Sequence, residues 1–223
     1  MEYSAFVRDQ QDTLIREFLT DQACCWVGVK SLEHFVRPNP LPHGAWRTLG
    51  ETIPPAEAVI CKRPSGNDEL WVRPKDKGAS AGDAYRTYWN SFLREQAVVG
   101  IADTIRGRMQ HIDHLLPETF AARNGYAYVR VMAVDARSNQ TVGSTVEKSM
   151  ANRVNPGGSF LADWFTVAKA SCFHGSFAAS VDENVVMEAL LKHLGTRGFT
   201  VPPELRKRWL ESMKTILEWS RAG

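Results

Sequence analysis

The stretch "RMQHIDHLLPETF", residues 108–120, gathers His111, Asp113 and His114 ahead of Pro117. A neutral imidazole with a pKa near 6.5 can take a proton from water or return one to a leaving group. A carboxylate is a hard oxygen ligand of the kind Mg²⁺ prefers, and the amide oxygen of Asn139, 25 positions after His114, is another. Together these residues could support metal-assisted hydrolysis of a phosphate ester. Three other stretches carry less. "SLEHFVRP" offers Glu33 and His34, but no asparagine followed by a helix comes after them. Cys172 and His174 are two positions apart and would point to different sides of a helix. "NPGGSF" lacks the Gly-Lys-Ser/Thr element of a phosphate loop.

These residues need elements to hold them. "YAYVRVMAV", 126–134, is the clearest strand, and residues 108–114 read as a second one that Pro117 limits. Side chains alternate along a strand, so His111 shares a face with Asp113. Asp113 and His114 face one centre only if the strand bends or ends between them. "DARSNQTVG" reads as a loop by composition, with Asn139 a turn residue. "STVEKSMANRV" follows as a helix, with a capping box from Ser144 to Glu147 and a stripe of Val146, Met150 and Val154. Residues 108–154 thus read as strand, loop, strand, loop, helix.

In that order the residues resemble the HNH, or ββα-metal, nuclease motif. The version without zinc-binding cysteines is the most similar, as in the HNH domain of RNA-guided CRISPR effector nucleases, and polymorphic bacterial toxin nucleases share the shape. The motif carries an Asp-His pair, an apolar pair and a proline. An asparagine ahead of a helix follows a little over twenty residues later. The resemblance implies His114 as general base, and Asp113 and Asn139 as ligands of Mg²⁺ or Mn²⁺. His111, Glu147 and Asn152 are secondary candidates. It implies an endonuclease, with DNA the expected substrate, acting as a defence or toxin effector or as the nuclease subunit of a complex.

The chain around this unit is ordinary for a globular protein: 223 residues, 43% apolar, 23% charged, net charge +2. Charge is uneven, however. Between residues 104 and 154 the basic residues Arg106, Arg108, Arg123, Arg130, Arg137, Lys148 and Arg153 face only Asp113, Glu118, Asp135 and Glu147, an excess that suits a polyanion. All of these basic residues except Arg123 are the expected nucleic-acid contacts. No pair among Cys24, Cys25, Cys61 and Cys172 has C-x-x-C spacing, so reduced thiols and a cytoplasmic location are expected, with leaderless export the alternative. No apolar run is long enough to span a bilayer.

The expected fold class is α+β. A helix over 3–20 and strands near 24–30, 57–63 and 69–74 form an N-terminal α/β region, 1–83. The loop "RPNPLPHGAW", the turn "PSGND" and the linker "KDKGASAGD" punctuate it. A helix over 84–106 and the ββα unit make a central region, 84–158. Helices over 160–170, 180–195 and 203–219 make a C-terminal region, 159–223. A rival reading is a non-catalytic interaction subunit that docks other chains through its tryptophan-rich helices.

Overall fold

The computed structural model describes residues 1–20, 25–35, 46–62, 68–74, 80–102, 104–105, 108–151, 153–155, 157, 159–175, 177 and 180–222, without the side chains of 34–35, 80–83, 105, 108, 147 and 222. The loop expected over 37–46, the turn over 64–68 and the start of the expected linker lie almost wholly outside those residues. Residues 80–83 open a helix instead.

The chain folds as one α+β unit around strand β7 (Tyr128–Asp135), whose eight residues are all buried. Its run of Val, Met and Ala suits a strand covered on both faces. One edge of β7 pairs with β4 (Asp68–Val72). The other pairs first with β1 (Trp26–Val29) and then with β6 (Arg108–His114). β2 (Trp46–Thr48) and β3 (Ala58–Lys62) extend the sheet beyond β4. β8 (Ser159–Leu161) extends it beyond β1, and β5 (Thr104–Ile105) pairs with β6. All eight strands are antiparallel to their neighbours. Strands from all three expected regions therefore share one sheet, so 1–83, 84–158 and 159–223 do not fold apart.

Helix α1 (Tyr3–Thr20) covers the sheet with Phe6, Val7, Leu14, Ile15 and Phe18, as its periodicity predicts. Helix α2 runs over Ser80–Glu95 and stops well before residue 106, because Ala97 (φ 50°) and Gly100 (φ 73°) take left-handed conformations. Helices α6 (Trp164–Ala170), α7 (Glu183–Thr196) and α8 (Pro203–Ala222) complete the cover. Two expectations shift here. Residues 159–161 are a strand instead of a helix start, and the helix expected from residue 180 starts at Glu183, capped by Asp182.

Trp71, Trp89, Trp164 and Trp209 are fully buried. Each fills the core with some 150–250 Å² of ring surface, and none is available for docking another chain. On α2, α6 and α8 the tryptophans Trp89, Trp164 and Trp209 are thus core residues, while Trp219 of α8 is half-buried. Trp209 stacks on Phe18 at 5.5 Å and ties α8 to α1. Among the described residues no helix is long and apolar enough to cross a membrane.

A close contact fixes the end of β6. A Cβ on Gly28 of β1 would come within 2.7 Å of the Leu116 side chain and 3.2 Å of the Tyr126 ring. Only glycine lets Leu116, two residues beyond His114, pack onto that strand.

Candidate active site

β6 stays extended and in register with β7 to its last residue, pairing Asp113 with Met132 and His114 with Val131. His111 and Asp113, two positions apart, share one side of the strand and line the cavity described below, whereas His114 does not line it. His114 is 7% exposed. Its Nε2 accepts the backbone N–H of Glu118 at 2.8 Å, at the start of helix α3 (Glu118–Arg123), which occupies the expected loop between the strands. Helix starts leave such N–H groups without intrahelical partners, and here an imidazole takes one. The ring proton is then on Nδ1, which lies 2.9 Å from Asp113 Oδ1. Both nitrogens are thus occupied, against the role of solvent-facing base expected of His114.

Asp113 is held from a second direction. Lys169 of α6, 2% exposed, donates to Asp113 Oδ2 at 2.8 Å and to the His114 carbonyl at 3.1 Å. Burial opposes charge on the Asp113 carboxyl, but His114 and Lys169 outweigh it and hold the group well below the usual carboxylate range.

Asn139 arrives by a different route from the one expected. The segment read as a loop is helix α4 (Ala136–Val142), which begins directly where β7 ends. Asp135, the last residue of β7, caps it by accepting the Ser138 N–H at 2.9 Å, and also lies 2.7 Å from His174 Nε2. Ser144, expected to start a helix, lies inside a continuous helical run, and its Oγ donates to the Thr141 carbonyl at 3.1 Å. α4 runs through a π-turn (Gly143–Glu147) into the short helix α5 (Lys148–Met150). Asn139 therefore stands one turn into a helix. Its Nδ2 is 3.4 Å from His111 Nδ1, and its Oδ1 is buried with no hydrogen-bond partner among the described residues.

His111, Asp113 and Asn139 line one cavity of about 860 Å³, with Arg86 and Trp89 of α2 forming part of its wall. The size suits a nucleotide-scale ligand. Among the described residues, no three His, Cys, Asp or Glu side chains are grouped to hold a metal, so no zinc-type cage is built from them. What the cavity offers is one ionised carboxylate and one buried amide oxygen without a partner. Mg²⁺ and Mn²⁺ accept such oxygens and keep several waters, and a carboxylate has about four lone-pair sites, more than His114 and Lys169 use. The residues fit a hydrated Mg²⁺ or Mn²⁺.

The other expected residues divide. Arg130 is 2% exposed and pairs at 2.7 Å with Glu69, so it does not meet nucleic acid, contrary to expectation. Arg137, Lys148 and Arg153 are exposed, but none lines the cavity, and Arg153 lies over the Trp219 ring at 4.1 Å. Arg106 and Asn152, and the side chains of Arg108 and Glu147, lie outside the described residues. Two residues escaped the sequence reading. Lys169 had a signal: a lysine inside the apolar run "WFTVAKA" must bury its charge against a partner. Arg86 had none, since only the packing of α2 against β6 brings it to the cavity. No protein-family model, no curated protein and no solved structure matches the chain.

Proposed function

We propose that the chain is a metal-dependent, HNH-like endonuclease that hydrolyses phosphodiester bonds, with DNA the expected substrate. The observation that supports this reading best is that Asp113 and Asn139, whose Oδ1 has no hydrogen-bond partner among the described residues, line one cavity. Asp113 and Asn139 would hold Mg²⁺ or Mn²⁺, which when bound polarises a phosphoryl oxygen and offsets charge on the leaving oxygen.

The remaining roles belong to side chains. In the reaction, water oxygen bonds to phosphorus, one P–O ester bond breaks, and the departing oxygen leaves as an alcohol once protonated. His111 takes over the proton-handling role in this reading. Its Nδ1 receives the Asn139 amide N–H, so Nε2 carries the ring proton, which it passes to the departing oxygen as the proton shed by the attacking water returns to the ring, leaving His111 neutral. His114 and Lys169 are positioning residues: they fix Asp113 in place and keep it ionised.

The test is cleavage of duplex DNA, single-stranded DNA and RNA with Mg²⁺, Mn²⁺ or EDTA. The wild type should cut in metal and be silent in EDTA. His111→Ala should lose about a hundredfold or more on a natural ester, the usual yield of general acid catalysis. It should lose far less on a nitrophenyl phosphodiester, whose leaving group needs no proton. Full activity of Asn139→Ala, or no cleavage of any substrate in any metal, would overturn the proposal.

A further inference from the structure

We infer that the indole N–H of Trp89 donates to a non-bridging oxygen of the scissile phosphodiester and so helps to fix it for attack. The inference rests on the proposed function for the nature of that acceptor. It is carried by two buried polar atoms of opposite character. The Trp89 N–H is a donor and Asn139 Oδ1 an acceptor, and neither has a hydrogen-bond partner among the described residues. Trp164 and Trp209 also keep an unpartnered N–H, so an orphan by itself marks nothing. What sets Trp89 apart is that it lines the same cavity as His111, Asp113 and Asn139. A buried donor without an acceptor costs its full desolvation penalty unless a ligand meets it.

A phosphodiester has two non-bridging oxygens. A cation held by Asp113 and Asn139 would take one, and His111 would serve the departing oxygen. The second non-bridging oxygen needs a donor from the rest of the wall, and most side-chain donors there are spent. Tyr3 Oη donates to Gln110 Oε1 at 2.6 Å, the Gln110 amide donates to the Ala102 carbonyl, and Arg86 already interacts within the chain. Trp89 and Asn90 of α2 remain among the described residues. Asn90 is half-buried and can turn its amide to water, whereas Trp89 is 2% exposed. The Trp89 ring packs against Phe6, with centroids 6.2 Å apart, and Phe92, at 5.5 Å, and this packing fixes the direction of its N–H. A donor held in this way costs no reorganisation when charge gathers on the oxygen it meets. Because the indole is neutral, it does so without repelling the cation.

The test is a ¹H–¹⁵N correlation spectrum of the labelled protein, in which the 7 tryptophans give indole N–H peaks. The Trp89 peak is the one missing from Trp89→Phe, and the Trp164 peak the one missing from Trp164→Phe. If Trp89→Phe does not fold, through-space contacts to Phe6 and Phe92 identify the Trp89 peak in the wild type. The probe is tetrathymidylate with Ca²⁺, which also takes oxygen ligands, in place of Mg²⁺. Thymidine, which has no phosphate, is the comparison. Tetrathymidylate should move the Trp89 peak downfield, as an N–H that gains an anionic acceptor does, and leave the Trp164 peak in place. Thymidine should move neither. In Mg²⁺, Trp89→Phe should lower kcat about a hundredfold with KM little changed, the order of loss for one fixed donor to a charged oxygen. A Trp89 peak that stays in place at every concentration of tetrathymidylate, or that moves equally with thymidine, would overturn the inference. So would a Trp89→Phe enzyme that cuts at the wild-type rate. Cleavage in Mg²⁺ beside an unmoved peak would remove this contact and leave the nuclease standing. A moved peak without cleavage in any metal would leave the phosphodiester contact and remove the nuclease.

Discussion

Two buried ion pairs lie beside β7, and they differ in what surrounds them. Arg130 and Glu69 meet at 2.7 Å with both side chains almost wholly enclosed, and the Trp71 indole N–H caps the second Glu69 oxygen at 3.0 Å. Lys169 and Asp113 meet at 2.8 Å, but Asp113 also borders a cavity of about 860 Å³ with His111 and Asn139 beside it. The residue types are nearly the same. A closed pair can only fix the packing of β4 against β7, whereas an open one places a charge where a ligand can reach it. Burial of an ion pair alone therefore does not mark a functional site. What separates the two is the access of one partner to a cavity and the presence of a polar atom there that the protein leaves unsatisfied.

Arg130→Met leaves the Glu69 carboxylate buried without its partner and should cost about 3–5 kcal/mol in urea unfolding. The double change Glu69→Leu with Arg130→Met should recover most of that loss and leave cleavage intact. A double variant as unstable as the single would mean the pair does more than compensate charge. At the open pair the effect should fall on activity instead. Asn139→Ala should lower cleavage by about a hundredfold, some 2.7 kcal/mol of transition-state stabilisation, with a much smaller change in Tm.

The two histidines sharpen the contrast further. His114→Ala orphans the Glu118 N–H and should cost about 1–3 kcal/mol of stability, while His111→Ala should spare stability and reduce activity. The opposite pattern would return the proton-handling role to His114. The open pair should also show in acid. The Asp113 carboxyl titrates lower in the folded chain than its unfolded value near 3.9, so its stabilisation is complete above that pH. It is lost as pH falls from there toward the depressed folded value. The stability gap between wild type and Asp113→Asn should thus be constant from pH 7 to 5 and shrink below about 4. A gap that does not change between pH 4 and 2 would contradict the assignment. The smallest effect belongs to the surface: Arg153→Ala should cost only about 0.5–1 kcal/mol through its contact with the Trp219 ring, and leave cleavage unchanged.

Much of this architecture was legible in the residues. α1 and β7 follow their periodicities, because each buries a regular apolar set. The ordering of Asp113 and Asn139 around a strand pair and a helix was also legible. The identity of the helix carrying Asn139 was not. "DARSNQTVG" reads as polar because α4 buries only Ser138 and Val142, and its cap is a strand residue, Asp135, which serves two elements at once. Which histidine faces the cavity was not legible either: α2 packed against β6 closes the cavity on the side of His111 and Asp113, and composition carries no trace of that packing. Lys169 and Arg86 reach the site through contacts far apart in sequence, beyond any local pattern.

The junction between β7 and α4 has a mechanical consequence. Asp135 ends one element and Ala136 starts the next, so no flexible residue separates the strand that registers against Asp113 from the helix that carries Asn139. The pair behaves as a rigid ruler with no adjustment at its corner. One residue inserted between Asp135 and Ala136 would turn Asn139 about 100° around the helix axis and advance it about 1.5 Å, carrying its amide away from His111. The same insertion into the π-turn at Gly143–Glu147, beyond Asn139, would leave that geometry untouched. Length changes at the two ends of α4 should therefore have opposite fates, lethal to the site at the corner and tolerated about two helical turns later.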